Sequence, residues 1–185
     1  MRVADVGARV AAMSGGTDRP LRCVVATVAM GRASVKDDVT QVVIDELRAA
    51  AFLVERSVTV NREKEFVRQL VSNVVDSNEA DAIVLIGGAG LGPRDFTCEA
   101  VDEMVHRRLE GFGEAYRRLL FDGGENYAGV VTVRATAGVY NGSLVVALPR
   151  QTASVLLRAM QVLVGPTIRE AVRIAAGPHP APSIR

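Results

Sequence analysis

Residues 86–97, with the sequence IGGAGLGPRDFT, include residue types that could bind an anion. Gly87, Gly88 and Gly90 can adopt positive φ angles and let a ligand approach the backbone closely. Amide groups in such a loop could hold a phosphate, helped by the N-terminus of the helix that follows. The spacing matches neither GxGxxG nor the P-loop, because no Lys-Ser or Lys-Thr pair follows. Glycine content alone therefore favours an ordinary strand-to-helix turn.

Polar side chains near this segment and further along the chain each have two interpretations. Asp95 or Thr97 could cap the next helix, whereas Asp95 could instead orient a metal ion or a polar ligand group. Arg134 ends a predicted strand, where it could bind an anion or pair with a carboxylate. The residue types alone leave these alternatives open.

The segments that must position these residues alternate between strand and helix patterns. Short apolar runs predict strands at residues 24–28, 53–60, 82–86, 130–134 and 143–148. Helical spacing of apolar residues predicts helices at residues 38–51, 61–75, 98–112, 111–121 and 151–164, with a last helix from Pro166. Arg107 and Arg108 then fall late in one helix, where they suit its dipole. The alternation predicts a three-layer αβα sandwich with a mostly parallel sheet.

The chain of 185 residues is expected to form one domain. We place this α/β domain at residues 21–176, after a flexible N-terminal segment at 1–20. Residues 177–185 are rich in proline and read as a flexible tail. Asn141-Gly142 predicts the turn between the last two strands.

Ligands of parallel sheets bind beyond the carboxyl ends of the strands. Four loops follow strand ends here, at residues 29–37, 61–63, 87–97 and 149–152. They bring polar side chains to one edge of the predicted sheet, namely Asp37, Asn61, Asp95 and Arg150.

Composition excludes several classes of function. The net charge of +1 and the absence of tryptophan argue against direct nucleic-acid binding. No apolar run reaches the ~18 residues of a membrane span, so a cytoplasmic protein is expected. Two histidines and two cysteines without CxxC spacing give no zinc pattern. Cys23 reads as a core thiol; Cys98, at a helix start, could be a stabilised thiolate, although a structural role is favoured.

Three motifs together resemble a known family: GGAGLGPRDFT, EGFGEAYRRL and SLVVALP before a helix. They are similar to the MogA/MoaB kind of molybdopterin-binding protein, over about residues 22–175. The resemblance implies a homotrimer or hexamer that takes part in molybdenum cofactor synthesis. Members of the MogA type adenylylate molybdopterin with Mg-ATP, and some members are described as binding molybdopterin only.

The resemblance also implies roles for individual residues. The ligand loop corresponds to Gly87, Gly88, Ala89 and Gly90. Asp95 corresponds to the family's second functional aspartate, which implies a catalytic role, and it would hold Mg²⁺ if the ion is bound. Asp37 and Glu114 correspond to further ligand-binding positions.

The chain departs from the family pattern at five places within the predicted site. Met30 and Ala89 replace an aspartate and a threonine, and the segment from Asp37 loses a small turn residue. Asn61 replaces a catalytic aspartate, which keeps the shape but loses the charge that Mg²⁺ prefers. Arg150 replaces a glycine, and it could meet a phosphate or fill the pocket.

These departures support two hypotheses. The first is a protein that binds molybdopterin or a related pterin or nucleotide, with weak or no adenylyl transfer. The alternative is a non-catalytic paralogue that acts as an oligomeric interaction or regulatory module and has a protein partner.

Overall fold

The computed structural model describes residues 19–30 and 38–175. Most of the N-terminal segment predicted to be flexible, the tail at 177–185 and the candidate site residue Asp37 lie outside the described residues. The strands in the described ranges are β1 Arg22–Ala29, β2 Leu53–Asn61, β3 Ala82–Ile86, β4 Arg107–Arg108, β5 Thr136–Tyr140 and β6 Ser143–Leu148. The helices are α1 Asp38–Ala49, α2 Lys64–Asp76, α3 Thr97–Met104, α4 Phe112–Asp122, α5 Tyr127–Thr132, α6 Ala153–Ala159 and α7 Gly165–Ala175.

The strands form one sheet in the order β2-β1-β3-β6-β5-β4. The four strands β2, β1, β3 and β6 run parallel, while β5 is antiparallel to β6 and β4 is antiparallel to β5. The predicted mostly parallel sheet is therefore confirmed.

Alternate residues of the central strands enter two separate cores. On one face Cys23, Val25 and Val84 pack with α1, α4, α6 and α7. On the other face Val24 and Ile83 pack with α2 and α3. Because both faces of these strands are buried, their sequences are continuous apolar runs rather than alternating ones. The result is the predicted three-layer αβα sandwich.

The helix predicted at residues 98–112 is wrong beyond Met104. Val105 is extended, and β4 pairs with β5 through Arg107 and Arg108. A Cβ on Gly138 of β5 would lie 2.7 Å from the Val105 side chain, so this pairing requires glycine. The favourable contact of the two arginines with a helix dipole is therefore absent, since both belong to a strand.

The strand predicted at residues 130–134 is also wrong. These residues largely belong to α5, whose N-cap Asn126 accepts a hydrogen bond from the Gly129 amide at 2.7 Å. This cap outweighs the strand preference of the β-branched run VVTV. The strand lies six residues later, and its hairpin with β6 turns at Asn141 and Gly142, both with positive φ, as predicted.

The last two helices are joined by a π-helical segment, Met160–Val164, rather than by a loop. Pro166 is the second residue of α7, where its missing amide costs little. One nearly continuous helical rod therefore covers the face that contains Cys23.

Candidate functional site

The parallel strands end side by side, at Ala29, Asn61, Ile86 and Leu148. We call this side of the sheet the carboxyl edge. The loops at residues 61–63, 87–96 and 149–152 follow these ends and meet there. The structure thus brings Asn61, the glycine loop with Asp95, and Arg150 to one edge.

The first glycine of the loop is required by packing. Gly87 has φ +106°, and a Cβ there would lie 2.5 Å from the carbonyl oxygen of Val28. Its amide donates to the Leu148 carbonyl at 2.9 Å, which ties the loop to β6. This glycine therefore sets the path of the backbone.

Thr97 closes the loop from the helix side. Its buried hydroxyl donates to the Gly87 carbonyl at 2.8 Å, and its amide donates to the Gly88 carbonyl at 2.8 Å. Gly88, with φ +61°, leaves room for this hydroxyl, since a Cβ there would lie 2.5 Å from it. The N-cap residue of α3 is Phe96, and no side chain at this position accepts a capping hydrogen bond from the first turn. Neither Asp95 nor Thr97 is therefore the N-cap residue.

Asp95 turns inward and is bound at both carboxylate oxygens. Oδ1 accepts from Nη1 of Arg62 at 2.9 Å, and Oδ2 accepts from the Gly92 amide at 3.1 Å. A Cβ on Gly90 or on Gly92 would lie within 2.8 Å of Oδ2. These two glycines therefore accommodate the carboxylate, and only 16% of the Asp95 side chain is exposed.

Arg62 was missed by the sequence reasoning. Its amide donates to the Ala29 carbonyl at 3.0 Å, which fixes the start of the loop after β2. The sequence feature that could have indicated Arg62 is its position directly after Asn61, in a loop that was expected at the carboxyl edge. The Asn61 side-chain amide donates to Glu63 at 2.9 Å and makes no recorded bond to Asp95.

Backbone amides remain available in the middle of the loop. The N–H groups of residues 88–91 donate no hydrogen bond to any residue that the structure describes. Successive unpaired amides in a loop with positive φ form a concave site for an anion. Leu91 is exposed and Gly88 and Gly90 are partly exposed, whereas Ala89 between them is buried.

Arg134 supports the loop from the other side. It donates to the Gly90 carbonyl at 3.2 Å and to Glu99 at 2.6 Å. It does not end a strand, because β5 begins at Thr136. Of the two interpretations of Arg134, the structure shows pairing with a carboxylate.

The other predicted site residues have varied surroundings. Ala89 is buried in the core between the sheet and α2 and α3, so the position of the missing threonine hydroxyl faces inward. Glu114 is exposed and accepts from Arg117 of its own helix at 2.9 Å. Arg150 is exposed directly after Pro149.

The described residues do not fit a magnesium ion. Within residues 19–30 and 38–175, no three His, Cys, Asp or Glu side chains are grouped to hold a metal. Asp95 already has a guanidinium on one oxygen and an amide on the other. Mg²⁺ is usually held by one or two carboxylates together with waters and substrate phosphates. Here Asn61 offers no charge, and Asp95 is already paired with Arg62.

Neither cysteine is a reactive thiolate. Burial raises the pKa of Cys98 to about 11 and that of Cys23 to about 12. The charged form is disfavoured in these apolar surroundings. Both therefore have the structural role that the sequence favoured.

The fold and site define a class of α/β protein with an amide-lined loop at the carboxyl edge of a mostly parallel sheet. A family model described as "Probable molybdopterin binding domain" matches residues 11–170. The chain therefore belongs to the MogA/MoaB-type molybdopterin-binding family, as the motifs predicted.

Individual relatives agree with this family. The chain is similar to molybdenum cofactor biosynthesis protein B of Bacillus subtilis, at 32% identity over 83% of this chain and 89% of that protein. Over 46% of this chain and 52% of the relative, it is 34% identical to a probable molybdopterin adenylyltransferase of Methanocaldococcus jannaschii. A crystal structure of a molybdenum cofactor biosynthesis protein B has the same fold, with TM-score 0.77, 24% identity, and coverage of 86% of this chain and 98% of that one.

No helix in the described part of the chain is long and apolar enough to cross a membrane.

Proposed function

We propose that this protein binds molybdopterin, or a related pterin or nucleotide, at the glycine loop of the carboxyl edge. It would act in molybdenum cofactor biosynthesis in the cytoplasm, with adenylyl transfer weak or absent. Relatives whose names describe molybdenum cofactor biosynthesis support the pathway. The observation that carries the proposal is the row of unpaired amides at residues 88–91.

The amides suit a ligand that carries a phosphate group. Backbone N–H groups bind phosphate oxygens, and the α3 N-terminus beside them adds a favourable dipole. The loop is held in this shape by Thr97 and Arg134, whose bonds do not use the four amides. Binding would therefore need little rearrangement.

The side chains explain why transfer chemistry would be weak. Attack on an α-phosphate is helped when Mg²⁺ neutralises the charge that develops there. Asn61 has no charge, and the charge of Asp95 is already balanced by Arg62. If activity survives, it would be Mg-ATP-dependent molybdopterin adenylyltransfer, and a chromatographic assay for adenylylated product would detect it.

Substitution of Leu91 tests the role of the amides in binding. Leu91 does not have a positive φ, and proline at this position would remove one N–H donor. We expect Leu91→Pro to weaken the binding of molybdopterin or ATP by about 10- to 150-fold, since a hydrogen bond to a charged group is worth about 1.5–3 kcal/mol. Titration calorimetry measures this effect.

Leu91→Ala is the matched control, because it shortens the same exposed side chain and keeps the amide. It should bind as the wild type does. Failure of the wild-type protein to bind either ligand at millimolar concentration would refute the proposal.

A second candidate function is an oligomeric interaction module with a protein partner. A group of exposed apolar side chains on α4 and α5 favours it, namely Phe121, Tyr127 and Val131. The rings of Phe121 and Tyr127 pack 4.8 Å apart, which presents a compact apolar surface. Such surfaces often mark contacts with proteins.

Replacing Val131 by lysine would put a charge on this surface without disturbing the core, since the side chain is 66% exposed. We expect Val131→Lys to dissociate the predicted homotrimer or hexamer, or to release a stoichiometric protein partner. Light scattering and affinity capture report the two cases. An unchanged mass together with unchanged capture would count against this candidate.

A further inference from the structure

We propose that the ligand loop works without a divalent cation, because Arg62 supplies the positive charge at Asp95. This inference rests on the proposed ligand site and adds how charge is balanced there. It also assigns a positioning role to Arg62, which no motif of the chain indicated.

The ion pair occupies the place where a metal would bind Asp95. Nη1 of Arg62 lies 2.9 Å from Oδ1, and the Gly92 amide takes Oδ2 at 3.1 Å. A cation at Asp95 would have to share an oxygen that already accepts a hydrogen bond, and the neighbouring guanidinium charge of Arg62 would repel it. The pair is largely shielded, with 16% of the Asp95 side chain and 33% of the Arg62 side chain exposed. Removing one partner from such a shielded ion pair is unfavourable, because the other charge is left uncompensated.

Arg62 is held along its length as well as at its tip. Its backbone amide is bound to Ala29 at 3.0 Å, and its Cγ lies 3.0 Å from where a Cβ on Gly88 would be. The side chain therefore passes over the second glycine of the loop, beside the unpaired amides. Its Nε is buried and makes no hydrogen bond within the described residues.

A guanidinium at this point changes what the loop can bind. Arginine keeps its charge at any physiological pH and matches phosphate geometry with several N–H groups. Because Arg62 neutralises Asp95, the amides of residues 88–91 can meet a phosphate that carries no metal without repulsion from that carboxylate. Asn61 and Arg62 thus act in the same direction, since one removes a negative charge and the other adds a positive one.

Manganese uptake by the protein alone provides the first test. Electron paramagnetic resonance should show that the wild-type protein leaves the signal of free Mn²⁺ unchanged. Arg62→Met keeps a side chain of similar length but removes the charge, and we expect it to take up Mn²⁺. The uptake should increase when Asn61→Asp is added, and it should vanish when Asp95→Asn is added.

Arg56→Met is the control, because Arg56 lies on β2, the strand that precedes Arg62, but pairs with Glu79. It should behave as the wild type does. Uptake of Mn²⁺ by the wild type that Asp95→Asn abolishes would overturn the inference. The inference would also be overturned if Arg62→Met takes up no more Mn²⁺ than the wild type, even when Asn61→Asp is added, although circular dichroism shows that the variant is folded.

Binding of AMP provides the second test, since AMP itself holds Mg²⁺ only weakly. Wild-type affinity should be the same in EDTA and in excess Mg²⁺, while Arg62→Met should lose about tenfold in EDTA. Binding that requires Mg²⁺ would overturn the inference. If neither AMP, ATP nor molybdopterin binds, the proposed function fails, and the manganese result still decides the role of Arg62.

Discussion

Asp81 and Asp95 are two carboxylates paired with arginine at opposite edges of the sheet. Asp81 precedes β3 at the amino edge, where Arg19 binds both of its oxygens at 2.7 Å. Asp95 follows β3 in the glycine loop, where Arg62 binds one oxygen at 2.9 Å. The two pairs are similar in chemistry but differ in the backbone around them.

At the amino edge the neighbouring backbone groups are used. The Arg22 amide donates to Asp81 at 2.7 Å, and the backbone groups of Asp81 bond to Arg22 and Leu144. At the carboxyl edge the amides of residues 88–91 have no partner within the described chain. A buried Nε without a partner occurs on both Arg22 and Arg62, so that feature does not separate the two edges.

A paired carboxylate therefore does not by itself mark a functional site. The Asp81 pair joins β1 to β3 and completes the fold there. The Asp95 pair shapes a loop in which the backbone amides of residues 88–91 have no partner within the described residues and are available to a ligand. Unused backbone amides therefore distinguish the candidate site from the structural ion pair.

The largest expected effect comes from adding a side chain at Gly87, where the backbone of the loop passes close to Val28. Gly87→Ala would force a Cβ to 2.5 Å from the Val28 carbonyl oxygen, at φ +106°. We expect a loss of about 3 kcal/mol in the free energy of unfolding. Urea denaturation measures it, with Gly111→Ala as the control, because a Cβ there meets nothing within 4 Å. Equal stability of the two variants would show that the loop is less constrained than its packing indicates.

Removing the structural carboxylate should have the next largest effect. Asp81→Asn weakens several charged hydrogen bonds, and we expect it to cost about 2 kcal/mol of stability near neutral pH. Because Asp81 is at the amino edge, ligand binding should not change. A variant that loses ligand affinity while keeping its stability would contradict the separation of the two edges.

The Asp81 carboxyl also predicts a pH dependence. Burial opposes its ionisation, but hydrogen bonds from Arg19 and Arg22 outweigh this and lower its pKa. A lowered pKa in the folded state gives stability that is present above the unfolded value of about 3.9, and that is lost as pH falls through the folded value. The difference between wild type and Asp81→Asn should therefore shrink in acid, as urea titrations at several pH values would measure. A constant difference would contradict this.

A smaller effect is expected from the bond that closes the loop. Thr97→Val keeps the shape but leaves the buried Gly87 carbonyl without its 2.8 Å partner. We expect a loss of about 1–2 kcal/mol and weaker ligand binding, because the amides are no longer held in place. Thr132→Val is the control, since the exposed Thr132 bonds only to its own helix. If both variants unfold alike, Thr97 is not what holds the loop.

Much of the fold could be predicted from the sequence because the central strands are buried on both faces. Strand β3 was predicted with its observed bounds, since AIVLI is a continuous apolar run. The prediction around Arg107 was wrong because the strand there depends on a distant partner, and the prediction around Val131 was wrong because a local helix cap outweighs the strand preference of the apolar run. Gly138 decides the first, and the cap at Asn126 decides the second.

The sequence predicts where the candidate site lies in the fold, but it does not predict the ion pair between Arg62 and Asp95. Asn61 and Asp95 follow strand ends, so their shared edge follows from the parallel sheet. The bond from Arg62 to Asp95 joins residues that are 33 positions apart, and sequence pattern does not indicate it. The need for Gly90 and Gly92 likewise becomes clear only when Asp95 is seen to turn inward.

Amide chemical shifts during titration with AMP in EDTA would show directly whether the loop binds a phosphate without a divalent cation. We expect the largest shifts in the ¹⁵N–¹H spectrum at residues 88–91, with little change at Arg22 and Asp81. Shifts centred elsewhere, or no shift at saturating AMP without a divalent cation, would contradict it.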